Sequence, residues 1–219
     1  MTPFDQLFSL MKKPWAIASY ALLVLLSYYF LDKSVAWYCY HLQNEYPAWP
    51  VKFITHFGKW SPWCAFLAVS GLFFRFIIKN KTYEQRAWYL LACVGLANLL
   101  VTVVKITVSR ARPELLFQYD QFGFYWFKMN NLFWSFPSGH SIVSGALAAG
   151  LTVLYPRYWL LFFSGAFLVI ASRILLTCHY ISDVMTGFYL SILIVGFLTQ
   201  SFKKHQVLIF SMKSKSDQQ

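Results

Sequence analysis

The chain has 219 residues, of which 58% are hydrophobic, 21% aromatic and only 12% charged. Water-soluble domains carry about 25% charged residues, so this composition excludes an ordinary soluble domain and points to a bilayer as solvent. The formal charge of +11, from 19 Lys and Arg against 8 Asp and Glu, forms no basic stripe and accompanies no reading motif, so no nucleic-acid partner is expected. It falls in short pieces between apolar runs, as membrane-flanking lysines do.

Six apolar segments follow one another along the chain: about Trp15 to Leu31, Pro62 to Ile78, Trp88 to Val108, Ser138 to Tyr155, Tyr158 to Leu176 and Ile181 to Phe202. Each is near the ~20 residues that cross ~30 Å of hydrocarbon as a helix. The runs are continuous rather than alternating, which selects helices over barrel strands. The first run follows Lys12 and Lys13, as a signal peptide would, but it ends at Asp32-Lys33 without a small-residue cleavage site. It is read as a retained span. The expected fold is an all-α integral membrane protein with six transmembrane helices, one domain over residues 1–219, and a polar C-terminal tail from about residue 203.

An even span count puts both termini on one side. With the N-terminus inside, the inner segments hold Lys12, Lys13, Lys79, Lys81, Arg86, Arg157, Lys203, Lys204, Lys213 and Lys215. The outer segments hold Lys33, Lys52, Lys59, Arg110, Arg112 and Lys128. This bias predicts cytoplasmic N- and C-termini. Two outer connections, 32–61 and 109–137, are rich in aromatics, among them Trp37, Tyr40, Phe117, Phe122, Phe124, Trp126 and Phe127. They read as an interfacial belt, which is compatible with a lipid-contacting rim over a site. Cys39, Cys64, Cys93 and Cys178 show no paired or metal spacing, and no disulfide is expected.

Ionisable residues at span edges are costly and need a reason. Asp183 opens the sixth span, four residues after His179. At that spacing on a helix a carboxylate could accept the imidazole Nδ1 proton and leave Nε2 free to attack. The alternative is a structural pair that closes a helix end. Pro137-Ser138-Gly139-His140 precedes the fourth span. Ser138 suits an N-cap, Gly139 lets a ligand approach, and the helix start favours an anion. An ordinary cap with an interfacial histidine is the other reading. Lys105 and Arg112 are seven residues apart, so they share a face if the third helix continues, and Pro113 predicts its end at Arg112. Arg110 lies off that face and reads as a snorkelling side chain. Arg173 precedes His179 by six residues, about 240° apart on one helix, so a tight turn must bring the two together.

In order, these pieces read K-x6-R-P from Lys105 to Pro113, P-S-G-H from Pro137 to His140, and S-R-x5-H-x3-D from Ser172 to Asp183. Together they resemble the three-part signature of the type-2 phosphatidic acid phosphatase superfamily. The resemblance implies that His179 is the nucleophile, Asp183 its orienter and His140 the general acid. It implies that Lys105, Arg112, Arg173, Ser138 and Gly139 hold the phosphoryl oxygens, with no metal and no other cofactor. It further implies a phosphohistidine route and a membrane lipid phosphate as substrate. The expected location is a bacterial inner membrane, with the site facing the periplasm. Bacterial members act on undecaprenyl pyrophosphate, phosphatidylglycerol phosphate or lipid A, and the R-A-R-P form with its aromatic loop somewhat resembles the lipid A branch. The alternatives are a lipid-to-lipid phosphotransferase using the same site, and a transporter or structural protein with buried charges.

Overall fold

The computed structural model describes residues 2–204. All but the start of the expected polar tail, with Lys213 and Lys215 of the charge count, lies outside the described residues. The chain opens with an amphipathic helix before the first expected span. α1 (Pro3–Met11) is capped by a reciprocal Thr2–Asp5 box and buries Phe4, Phe8 and Met11. Next come α2 (Pro14–Leu26), a π-helical stretch (Ser27–Leu31) and α3 (Asp32–Glu45) in one continuous rod. α4 (Trp49–Thr55) leads through a 3₁₀ turn to α5 (Trp60–Phe76), and α6 (Lys81–Val108) follows. The rest is α7 (Pro113–Tyr119), α8 (Gly139–Leu154), α9 (Trp159–Leu175) and α10 (Ile181–Lys204).

The rod corrects one expectation. Asp32-Lys33 does not end the first helix, which runs on to Glu45. A carboxylate stops a membrane helix when it must stay in water, but Asp32 is buried and met by partners inside the fold. The connection 32–61 is therefore mostly helical. Among the described residues, four helical stretches are long and apolar enough to cross a membrane: Pro14–Gln43, Lys81–Val108, Pro156–Leu175 and Ile181–Lys204. The second and fourth expected spans correspond to the shorter α5 and α8, of 17 and 16 residues.

α8 is the central helix and packs against α6, α9 and α10. Small residues make this possible. A methyl group on Gly150 would lie 2.9 Å from Leu90 of α6, and one on Gly145 would run into Ser191 of α10. Nearer the end where α8 and α10 both begin, a methyl group on Gly187 would lie 2.8 Å from the Ser138 carbonyl oxygen. At the other end of α10, Phe8 of α1 fills the space beside Gly196. The outer faces of α2 and α5 expose Trp15, Leu22, Leu25, Phe66 and Val69, as a lipid-facing surface requires.

Gly187→Ala must push the start of α8 off α10, because the obstructing atom is backbone. Overpacking of this kind costs about 1–3 kcal/mol. The expected result is a lower thermal midpoint in detergent than Gly95→Ala, whose added methyl meets nothing within 4 Å.

Candidate active site

The expected residues come from both ends of the motif stretch and meet at one end of the bundle, where α6 and α9 finish and α8 and α10 begin. Ser138 caps α8 as expected, accepting the Ser141 N–H at 3.4 Å, while its own N–H donates to the Asp183 carbonyl at 3.1 Å. Gly139 lies under Lys105, whose Cε would be 3.7 Å from an added methyl group. Lys105 Nζ donates to the Trp134 carbonyl at 2.6 Å. A cavity of about 360 Å³ opens here, with Lys59, Asn98, Thr102, Lys105, Gly139 and His140 in its wall.

α6 ends at Val108, four residues before Arg112, so Lys105 and Arg112 do not share a helix face. Ser109 turns left-handed at φ 44°, and Arg112 lines a second cavity with Thr177 and Cys178, within electrostatic reach of His140 and His179. Arg173, near the end of α9, donates to the Thr55 hydroxyl of α4 at 2.7 Å. The required tight turn is present: Thr177 is left-handed and the Cys178 N–H donates to the Arg173 carbonyl at 3.0 Å. His179 sits in this turn, ahead of α10, and so does not lie on a helix face with Asp183. Its Nδ1 is 3.7 Å from Asp183 Oδ2, too far for a hydrogen bond.

Asp183 is already fully engaged. Its Oδ2 accepts the Ser135 hydroxyl at 2.6 Å and the Tyr180 N–H at 3.0 Å, and its Oδ1 accepts Arg110 Nη1 at 2.5 Å. Arg110 therefore does not snorkel. It has no exposed surface, and its Nη2 reaches Asp32 Oδ2 at 2.8 Å. Asp32 also accepts the Ser182 N–H at 3.0 Å and the Ser182 hydroxyl in a short contact. The rings of Tyr28, Phe122, Phe124 and Tyr180 surround the guanidinium, with centroids 4.3–5.4 Å away. Desolvation alone would weaken its hold on the proton, but Asp183 and Asp32 outweigh it and hold Arg110 above the ordinary guanidinium value.

Asp32, Arg110, Ser135 and Thr55 escaped the sequence reading. One signal was available for Asp32 and Arg110: a carboxylate directly after an apolar run needs an internal cation, and only a few basic residues lie at that face.

The connection 109–137 folds around the Arg110 strand. The Ala111, Arg112 and Ser135 N–H groups donate to Gly123, Leu132 and Arg110 carbonyls, and the Tyr125 and Phe127 N–H groups to Ser109 and Thr107. Its aromatics then divide. Phe122 and Phe124 pack on Arg110, while Trp126, Phe127 and Met129 stand exposed at the tip.

Electrostatically the cluster is one unit. Arg173, Lys105, Arg112 and Lys59 all act on His140, and Lys105 and Arg112 on His179. Burial pushes the His179 imidazole well below its ordinary value; Asp183 opposes this, and Lys105 and Arg112 reinforce it. The surroundings thus favour the neutral ring, which keeps a lone pair. Arg112 Nε, Arg173 Nε and His140 Nε2 are buried with no hydrogen-bond partner among the described residues. Buried donors rarely go unpaired. Three basic side chains, two imidazoles and a capped helix start present the donor set of an oxyanion site.

The fold and site define an all-helical membrane protein with a basic anion pocket at one end of its bundle. The chain belongs to the PAP2 superfamily, whose model matches residues 86–206, more than half of its length. Two relatives named Lipid A 1-phosphatase, from Rhizobium johnstonii and Rhizobium etli, are each 38% identical over 99 residues, 45% of this chain. The matched stretch spans 41% and 43% of those two proteins. The crystal structure of a transmembrane PAP2 type phosphatidylglycerolphosphate phosphatase from Bacillus subtilis is alike in fold, with a TM-score of 0.57 and 22% identity over 86% of this chain and 96% of that one. With its apolar helices, this likeness makes the protein a multi-pass membrane protein.

The 3₁₀ turn after α4 seats His140. A methyl group on Gly58 would lie 2.6 Å from His140 Cδ2 and 2.7 Å from Val169 Cγ1. Gly58→Ala is expected to displace the imidazole and lower kcat at least about tenfold, the scale of a misplaced catalytic group. Steady-state kinetics on folded protein checks this, and an unchanged kcat would show that His140 does not act from this position.

Proposed function

We propose that the protein is a lipid phosphate phosphatase that works through a phosphohistidine, without a metal. The observation that carries this reading is the meeting of His140, His179, Lys105, Arg112 and Arg173 around the start of α8, from four separate parts of the chain. The Lipid A 1-phosphatase relatives favour a phosphorylated membrane lipid as substrate, lipid A among them; undecaprenyl pyrophosphate and phosphatidylglycerol phosphate are the further candidates. α5 and α8 complete six spans with α2–α3, α6, α9 and α10. A helix of 17 residues reaches about 26 Å, close to the hydrocarbon thickness. The charge bias supports cytoplasmic termini and a site at the periplasmic face of the inner membrane.

The phosphoryl group sits at the α8 N-terminus. Its oxygens accept from Arg112, Arg173, Lys105 and the Gly139 N–H, with Ser138 holding the cap. His179 turns Nδ1 toward Asp183, so Nε2 carries the free lone pair and attacks phosphorus. The P–O bond to the lipid breaks as the N–P bond forms, and His140 passes its proton to the departing oxygen. Water then attacks the phosphohistidine, His140 accepts its proton, and the N–P bond breaks to release inorganic phosphate and free His179. The three basic side chains stabilise the charge on the equatorial oxygens in both steps.

Purified protein should release phosphate from a lipid phosphate with a chelator present. His179→Ala should lose at least about a thousandfold of this rate, the scale seen when a nucleophile is removed. Release by that variant at the native rate would remove His179 as nucleophile. Appearance of a phosphorylated lipid acceptor in place of free phosphate would make the protein a phosphotransferase.

A further inference from the structure

Resting on the phosphatase reading, the structure points to a second tier of the site. We propose that Arg110 and Asp32 are positioning residues of the reaction, a buried relay that fixes the Asp183 carboxylate and through it the ring of His179. Neither touches the phosphoryl pocket.

The relay begins on the first membrane helix. The π-helical stretch Ser27–Leu31 ends at Asp32, which is buried and takes four donors: Arg110 Nη2, the N–H and hydroxyl of Ser182, and the Ser27 hydroxyl at 3.4 Å. Ser182 also accepts Arg110 Nη1 at 2.7 Å, so the same guanidinium nitrogen contacts Ser182 and Asp183. Arg110 thus ties α3 to the first turn of α10, immediately below His179. The grip is directional, because a guanidinium fork fixes the plane of the carboxylate it meets in a way that a lysine cannot. With Oδ1 held by Arg110 and Oδ2 by Ser135 and the Tyr180 N–H, Asp183 cannot rotate to close the 3.7 Å gap to His179 Nδ1. Its distance from the imidazole is therefore set by the relay.

The relay also sets the charge that His179 feels. Asp183 shares its negative charge with Arg110, and Asp32 in turn draws on Arg110. Neutralising Asp32 leaves Arg110 wholly to Asp183, makes the surroundings of the imidazole more positive, and lowers its proton affinity. Neutralising Arg110 frees the charge of Asp183 and raises it. A role confined to holding the helices together has no such sign. The charged groups facing His179 are Lys105 from α6, Arg112 before α7 and Asp183 from α10; His140 and Arg173 belong to the same cluster, Cys178 and Tyr180 flank it in the chain, and all are left in place.

The test is the pH dependence of kcat for lipid-phosphate hydrolysis by purified, folded Asp32→Asn and Arg110→Gln proteins. The acid limb should move down by about one unit in Asp32→Asn and up by about one unit in Arg110→Gln, the order expected of one charge a side chain away. For Arg110→Gln, kcat at pH 7 should fall about 10- to 100-fold, with KM within about twofold, as for a displaced nucleophile. Asp32→Asn keeps the size of the side chain and carries the test by itself if Arg110→Gln does not accumulate. An unmoved limb in Asp32→Asn, or limbs that move the same way in both variants, would overturn the proposal. A wild-type protein that hydrolyses no lipid phosphate would instead overturn the functional reading on which it rests.

Discussion

A guanidinium with no exposed surface lies between the first and last membrane helices, and its charge has to be met inside the fold. Removing an ion from water costs several kcal/mol even after relaxation, so Arg110 is tolerable only where opposite charges and donor geometry are already in place. Asp32 supplies one carboxylate from α3 and Asp183 another from α10. Four aromatic faces close the remaining directions. This requirement organises much of its surroundings. The first helix continues past Asp32 because its charge is satisfied there, and the 109–137 connection lies where its backbone can flank the Arg110 strand.

The anion pocket is built against that buried group. Asp183 joins the two. Its side chain faces Arg110 and Ser135, while its backbone carbonyl accepts the N–H of the residue that caps α8. The helix start that faces the pocket and the carboxylate beside His179 are thus fixed to each other through one residue. Thr55 and the Trp134 carbonyl then hold Arg173 and Lys105, two long side chains that would otherwise lose rotamer freedom on binding. The pocket is set before a ligand arrives.

Much of this was legible in the chain itself. The apolar runs located α5, α6, α8, α9 and α10 to within a few residues, apart from the early start of α6 at Lys81, because lipid leaves a helix few choices of composition. Ser138 and the turn between Arg173 and His179 follow from local rules, capping in one case and chain reversal in the other. What failed did so for reasons of long-range pairing. Arg110 read as a snorkeller because its partners lie 78 and 73 positions away. Asp32 read as a helix end for the same reason. The apolar run stopped at Val108 as α6 does, but the expected helix end at Arg112 failed because Pro113 was given the role that left-handed Ser109 plays, its hydroxyl accepting the Lys128 N–H at 2.9 Å. α1 was missed because nine residues with a short apolar face resemble the flank of a span.

The charges of the two layers also suit the proposed reaction. In the buried layer two carboxylates meet one guanidinium and leave a single negative charge. Around the pocket, Lys59, Lys105, Arg112 and Arg173 supply four basic groups. On the proposed phosphohistidine route, the negative layer sits behind His179, where it would stabilise the positive charge that grows on the ring as the N–P bond forms. An all-positive pocket would bind the phosphate and oppose that attack. Placing a net anionic layer one side chain deeper separates the two demands: on the proposed route the cations face the phosphoryl oxygens, and Asp183 faces the attacking imidazole.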